Sequence, residues 1–487
     1  MASSSDEVGK IRVQLVSVDP RYTVTDADMA VPGTLRRTGL AAVVNYLLGN
    51  DEDKEESRKK NDDDDDDDES STKINSPKSN RIDFDFMINN RFLRTTVSGY
   101  VRANNVSAED LLVIHFLPRM TKPEVSRDEP ETLPDWVSSV KCDDATGVLV
   151  SACYDGVLRV MRQSDLSVLS SAVAHGSAIK TLSLSSSFEG LLVASGGLDH
   201  QVVVHEYVGE SESSAPARLS PRLACQGGHS SSVESTAFSG AGPTTSLASG
   251  DWDGKLCLWG LDTSALSQAS DLSSSSSSTT VAKKRRVVGS SSPSVPSLSI
   301  VAPLSVTKLH ASSVSGLAWS TVTPSLLYSG SWDHSVKAFD TERLDVVLTL
   351  NGSRAVGCLA KSYHSEVLAT GHPDCHVKLW DVRVSKGAGG VLTHDDVLKP
   401  DHRGWVTCVA WDKERPFNLS TCSADGTVKT WDVRCSLPIY TIKAHVATGK
   451  GRAGKEEGKA LGVCYGESGK SIFSGGSDCI IRKFTNA

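Results

Sequence analysis

No apolar run in this chain approaches the roughly 18 residues that a membrane-crossing helix needs, and no apolar stretch near the start has the form of a secretion signal. A soluble, intracellular protein is therefore expected. Cysteine supplies no framework: the eleven residues are odd in number, form no CxxC pair and are scattered through strand-like positions such as Cys257, Cys408 and Cys422. They read as small core hydrophobes in a reducing compartment, with neither a disulfide scaffold nor a zinc site. A nucleotide-binding glycine loop and a nucleophile motif are both missing, so an enzyme has little support and no cofactor is expected.

Charge of one sign is confined to short stretches. From Asp51 to Glu69 thirteen acidic residues face four basic ones, a net of −9 in a chain whose total is −8, so the remainder carries +1. Such a run repels itself and buries no apolar area, and residues of about 50–80 are expected to be a disordered loop. A second low-complexity insertion, about 263–305, is rich in Ser, carries Lys283, Lys284, Arg285 and Arg286, and is likewise expected to be disordered. Four consecutive cations in an exposed loop fit a nuclear localisation signal. No wider basic surface is evident, and direct RNA contact has only weak support.

What the chain does have is repetition. Seven segments join a small-residue step, a turn Asp and an alternating run: SACYDGVLRVM, SGGLDHQVVVHEY, SGDWDGKLCLW, SGSWDHSVKAF, TGHPDCHVKLW, STCSADGTVKTW and SGGSDCIIRKF. They centre on Asp155, Asp199, Asp253, Asp333, Asp374, Asp425 and Asp478. A period of 40 to 54 residues, broken once by an insertion, in which two short strands meet at a tight turn is one four-stranded blade, so seven units predict a seven-bladed β-propeller. Propellers of this kind usually bind rather than catalyse. His175, His229, His310 and His402 precede their turn Asp by 24, 24, 23 and 23 residues. Partners repeated in every blade are structural rather than catalytic, because buried polar groups need pairing. The expected networks are His229, Ser249, Asp253 and Trp259, and His402, Thr421, Asp425 and Trp431. Trp380 closes the fifth unit, which has no His upstream, while Met161 and His205 replace the aromatic in the first two. The stretch from Gly449 to Lys459 reads as a loop inserted in the last blade. Because the chain stops just after the strand following Asp478, residues between about Leu117 and Leu133 are expected to supply that blade's outer strand.

The first 118 residues read as a separate module, with the propeller taking 119–487. Ile11–Ser17 alternates as a strand, Arg36 to Leu48 has helical spacing ended by Gly49, and Phe84 to Leu93 reads as a hairpin turning at Asn89-Asn90. A short helix near Val97–Ala103 and a strand from Leu111 to Phe116 follow. This order fits a small α+β ubiquitin-like fold once the acidic loop is set aside.

The words GLAAVVNYLLG, FDFMINNRFLRTTVSGYV and DWVSSV, followed by seven WD-type units with a basic insertion after the third, resemble the WD-repeat ribosome biogenesis proteins of the PeBoW complex. The likeness covers nearly the entire chain. It implies an assembly factor for the large ribosomal subunit, acting in pre-rRNA maturation in the nucleolus and nucleoplasm. Its propeller would bind block-of-proliferation protein, which carries pescadillo, on the pre-ribosomal particle. Its ubiquitin-like domain would be held by the metal-ion-dependent adhesion site of midasin, an AAA ATPase that strips the complex from the particle. Alignment of Asn104-Asn-Val-Ser-Ala-Glu109-Asp-Leu-Leu-Val with the family's motif places the ligand to midasin's Mg2+ on Glu109, with Asp110 beside it as competitor. A rival reading starts from Trp380-Asp-Val-Arg383 and Trp431-Asp-Val-Arg434, which match the WDxR boxes of substrate receptors for cullin-type ubiquitin ligases.

Overall fold

The computed structural model describes residues 9–19, 21–24, 28–49, 81–89, 91–107, 110–126, 132–186, 190–209, 217–239, 245–261, 299–384, 402–435, 437–445 and 458–485. Contacts divide the chain into two compact units, residues 1–121 and 122–487. The whole acidic run and most of the Ser-rich insertion, Lys283–Arg286 included, lie outside the described residues, as does the stretch 446–457.

In the first unit a mixed sheet is built from β1 (Lys10–Ser17), β2 (Met29–Pro32), β3 (Phe84–Ile88), β4 (Arg91–Phe92) and β5 (Leu112–Pro118), in the order β2-β1-β5-β3-β4. β1 and β5 run parallel, Val13 opposite Leu112 and Leu15 opposite Ile114, and the other pairs are antiparallel. This is the ubiquitin-like order. The helix α1 (Arg37–Leu47) buries Leu40, Ala41 and Val44 on the sheet face that carries Val13, Leu15, Phe86 and Ile114. Phe84 and Phe116 meet edge-on at 5.4 Å within the same core. Gly49 ends α1 with φ +75°, a left-handed conformation that an L side chain resists. Buried Asn45 holds the chain where it re-enters after the acidic run, its amide donating to Ile82 O (2.8 Å) and its carbonyl accepting from Ile82 N (3.1 Å). The second helix, α2 (Val97–Ala103), is capped by Thr96, whose hydroxyl accepts from Gly99 N at 3.1 Å.

Among the described residues the second unit contains seven sheets, one for each turn Asp, antiparallel apart from one added strand. Their inner strands, Val137–Asp143, Ile179–Ser186, Val233–Phe238, Val314–Trp319, Cys358–Lys361, Val406–Trp411 and Ala460–Gly466, line a common channel. In every blade the residue after the turn Asp is left-handed: Gly156, His200, Gly254, His334, Cys375, Gly426 and Cys479 have φ between 62 and 84°. At Gly254 the requirement is doubled, since a Cβ there would sit 2.2 Å from His310 O of the next blade. The closing position of each unit is fully or nearly buried, with Trp259, Trp380, Trp431, Phe339 and Phe484 at 0–1% exposure. Burying rings of this size against the neighbouring sheet is the main apolar contribution of each blade.

Two features differ from the sequence reading. The Ser-rich insertion falls inside the third blade, before its outer strand Ser305–Lys308, rather than after it, and its last residues are ordered. Ser299–Val301 adds to blade 2 as a fifth strand, parallel to Arg218–Cys225, because the alternating Ser-Ile-Val offers an edge partner for Leu223 to Cys225. Blade 5 has three strands among the described residues.

The ring closes as expected. β6 (Glu124–Val125) pairs antiparallel with Ile481–Thr485, Val125 opposite Phe484 and Glu124 opposite Thr485. Ser126 N donates to Lys483 O (3.0 Å), Leu133 N to Cys479 O (2.8 Å), and Thr132 bridges Ile480. A strand from before the first blade thus completes the last and covers its open edge.

Candidate functional site

The repeated polar residues form buried networks between strands. In blade 2, His175 Nδ1 lies 2.9 Å from Asp199 and its Nε2 2.9 Å from Ser195 Oγ. His310 joins Asp333 and Ser329, both at 2.8 Å, and His445 joins Asp478 (2.7 Å) and Ser474 (2.8 Å). In blade 6, Thr421 Oγ1 receives Trp431 Nε1 at 2.8 Å and lies 2.8 Å from His402 Nε2, while His402 Nδ1 is 3.5 Å from Asp425. Burial pushes the Asp333 carboxyl up, yet hydrogen bonds from Ser335 and the facing His310 outweigh it and hold the group down at about 2. Every member is spent on holding strands together, which fits a structural role.

Blade 3 corrects one assignment. His229 Nδ1 pairs with Asp251 at 3.0 Å, not with Asp253, while Nε2 meets Ser249 Oγ (2.6 Å), which also accepts from Trp259 Nε1 (2.7 Å). The Ser-Gly-Asp-Trp-Asp segment holds two carboxylates. The first ends the strand fully buried, and its Oδ1 also accepts from the amides of Asp253 and Lys255. Asp253 is left with Ser230 at 3.4 Å. In blade 5, His372 stands in for the missing upstream His: its Nε2 is 2.9 Å from Thr370 Oγ1, which accepts from Trp380 Nε1 (2.8 Å). Asp374 instead faces Arg354 at 3.3 Å. In blade 1, Asp155 binds Arg159 (2.6 Å).

The surface with chemistry of its own is one end of the channel. In every blade but the fifth, where Pro373 has no N–H, the residue before the turn Asp donates a backbone hydrogen bond to the residue before the inner strand, as Tyr154 N to Trp136 O (2.9 Å) and Ala424 N to Trp405 O (2.9 Å). At the channel mouth the first of these positions places Tyr154, Trp252 and Trp332 and the second Trp405, with Trp136 packed against Tyr154. Trp252, Trp332 and Trp405 follow one another with ring centroids 6.2 Å apart, and Trp136 packs on Tyr154 at 5.6 Å. Trp252 and Trp405 remain more than half exposed, at 53 and 56%. Lys180 Nζ sits 5.2 Å from the Tyr154 ring. Beneath lies a cavity of about 750 Å³ lined by Lys141, Lys180, Lys361 and Lys413. Lys361 is paired with Glu366 and Lys413 with Asp144, each at 3.1 Å. Large aromatics held on a rigid rim are the residues that dominate protein–protein affinity. Reading the sequence for buried positions missed them, although a Trp directly before the turn Asp in units 3 and 4 cannot also be the buried closing aromatic six residues on.

In the first unit the loop between α2 and β5 precedes the last strand as expected. Glu109 itself lies outside the described residues; Asp110 is exposed, its amide donating to Ser107 O at 3.3 Å. Among the described residues no three His, Cys, Asp or Glu side chains gather to hold a metal, and no helix is long and apolar enough to cross a membrane. The arginines of the two WDxR boxes fold back on their own aspartates, Arg383 on Asp381 (2.7 Å) and Arg434 on Asp432 (2.6 Å), and Arg434 also covers the Phe417 ring.

Residues 11–59 match the NLE (NUC135) domain model, and residues 221–260, 302–340, 344–381 and 396–432 match the WD domain, G-beta repeat. The ribosome biogenesis protein WDR12 homolog of Chlamydomonas reinhardtii is 30% identical over 497 residues, covering 98% of each chain. The chain belongs to the WDR12/Ytm1 family of ribosome biogenesis proteins. Other members are similarly matched along their length: ytm1 of Aspergillus niger is 28% identical, covering 98% of this chain and 95% of that one, and the WDR12 homolog of Nematostella vectensis is 26% identical, covering 97 and 98%. The repeat model matches the units that close on Trp259, Phe339, Trp380 and Trp431; those closing on Met161, His205 and Phe484 fall outside its matches.

Proposed function

We propose that this chain is a non-enzymatic assembly factor for the large ribosomal subunit, acting in pre-rRNA maturation in the nucleolus and nucleoplasm. Its propeller docks through the aromatic channel mouth on block-of-proliferation protein and so on pescadillo within the pre-ribosomal particle. Its ubiquitin-like domain presents Glu109 to the Mg2+ of midasin's adhesion site, where a carboxylate from a partner fills an open position in an octahedral oxygen shell. The observation that carries the reading is the likeness over 98% of both chains, through both units at once, to a protein named for ribosome biogenesis. The exposed tryptophan rim supports the docking role, and the engagement of Arg383 and Arg434 with their own aspartates weighs against the ubiquitin-ligase reading.

Affinity purification of tagged wild type, Trp332→Ala and Glu109→Ala tests it. The wild type brings down block-of-proliferation and pescadillo homologues. Trp332→Ala weakens that capture by about 30-fold, as loss of a central aromatic anchor does. Glu109→Ala leaves it intact but abolishes EDTA-sensitive retention of midasin's adhesion domain. Copurification of a ligase adaptor in place of these proteins refutes the reading, and loss of midasin on Asp110→Ala alone moves the ligand by one residue.

A further inference from the structure

Two thiols face one another across the seam at which the ring closes. Cys142 lies on the inner strand of blade 1 and Cys464 on that of blade 7, 322 residues away, and their Sγ atoms are 3.3 Å apart. Each is paired within its own sheet, Cys142 opposite Leu149 and Cys464 opposite Phe473, so the sulfurs meet only through blade-to-blade packing. Both are nearly buried, at 9 and 5% exposure, yet both line the central cavity, which gives a small oxidant a path to them. Lys141, next to Cys142, lines the same cavity and places a positive charge near both sulfurs. Among the described residues, backbone closure at this seam consists of two residue pairs in β6, one isolated bridge at Thr132 and the amide bonds of Ser126 and Leu133.

We propose that Cys142 and Cys464 form a reversible disulfide, made by hydrogen peroxide or an organic hydroperoxide, that staples the first blade to the last. With hydrogen peroxide, one thiolate attacks a peroxide oxygen and breaks the O–O bond, leaving a sulfenic acid and one water. The second thiol then attacks the sulfenic sulfur, its proton leaving with the hydroxyl as a second water. Two thiols and one peroxide thus give one disulfide and two waters, the sulfurs losing the two electrons that the peroxide gains. A disulfide bond is about 2.05 Å long, so the sulfurs close a little over 1 Å, a movement that side-chain rotation and a small shift between blades provide. Burial, followed by the contact with Cys464, pushes the Cys142 thiol well up. Little of either thiol is thiolate at neutral pH, so the pair reacts slowly, under sustained oxidant rather than at basal levels. Cys408, held down at about 6 first by Cys422, with which it is paired across strands, is the competing thiol in the same cavity.

The test treats the full-length protein with hydrogen peroxide, blocks free thiols, and maps linked peptides by mass spectrometry without reduction. A Cys142–Cys464 peptide is expected, with a melting temperature several degrees higher that returns to its starting value with dithiothreitol, because the bond closes a very long loop. Cys142→Ala and Cys464→Ala each lose both the peptide and the peroxide-induced rise. The wild-type mapping needs no variant, so a poorly folded substitution does not shield the proposal. A link between Cys408 and Cys422 in its place overturns it. So does peroxide that oxidises the more exposed Cys375 and Cys479 while Cys142 and Cys464 are recovered as free thiols.

Discussion

His205 occupies the position filled by tryptophan or phenylalanine in five other blades, and its replacement gives a quantitative test of how these blades are held. The residue is fully buried, and neither ring nitrogen has a hydrogen-bond partner among the described residues. Ser195, ten residues upstream, occupies the place from which Ser249, Thr370 and Thr421 accept an indole N–H, but the shorter imidazole makes no such bond. Burial, and then the nearby His175, push the His205 ring down from 6.5 to about 4. Between those values the unfolded chain binds a proton that the folded chain refuses, so stability falls as pH falls through that window. The accumulated loss is about 2.5 kcal/mol at pH 4.5, from 1.36 kcal/mol per pKa unit. His205→Phe removes it and also relieves the two orphan nitrogens, for a gain of about 1 kcal/mol at pH 7.5. All nine tryptophans lie beyond residue 121, so fluorescence-monitored guanidinium unfolding follows the propeller unit. The expected result is a variant more stable at pH 7.5 whose advantage widens by about 2.5 kcal/mol at pH 4.5. His372, also pushed down to about 4 by burial, stays in both proteins and cancels in the comparison. An advantage that does not change with pH, or a variant less stable at pH 7.5, refutes the reasoning.

Three further outcomes are expected. Asp251→Asn, which removes the buried charge facing His229, lowers stability by about 1–3 kcal/mol, whereas Asp253→Asn changes it by less than about 0.5; equal effects in denaturant titrations would restore Asp253 to the network. Ser126→Pro deletes the amide that donates to Lys483 O beside the two-residue β6 and should lower the melting temperature by several degrees; an unchanged melting curve means that β6 contributes little to closure. Replacing Lys283, Lys284, Arg285 and Arg286 together by Ala leaves the melting curve unchanged but shifts a tagged protein toward the cytoplasm; undiminished nucleolar fluorescence rules out the basic run as the import signal.

The turn aspartates were legible because one backbone requirement recurs: an Asp, then a left-handed residue, then an alternating strand. That period gave the blade count, and the strand missing from the last unit gave β6. Histidine spacing located the partners of His175, His310 and His402, but it misled at His229, since a second Asp two residues upstream competes for the same nitrogen and wins from a buried site. His372 escaped notice because it reaches Thr370 from two residues along the same segment, so no upstream spacing announces it. Spacing also gave no sign that residues after a low-complexity stretch return to the edge of blade 2, since edge pairing depends on which strand is left open. The rim tryptophans were legible in principle, but separating an exposed aromatic from a buried one required the register of each strand.

The way the ring is fastened has a mechanical consequence. The two units are joined through the chain at Thr121 and Lys122, and the first propeller element after that junction is Glu124–Val125, the outer strand of the seventh blade. Tension on the small unit, transmitted along the chain, therefore arrives at the seam before it reaches any complete blade. Among the described residues it meets there two paired residues and the Ser126 amide on Lys483 O, with the Thr132 bridge and the Leu133 amide behind them. The element that shuts the ring is thus also its rip-cord.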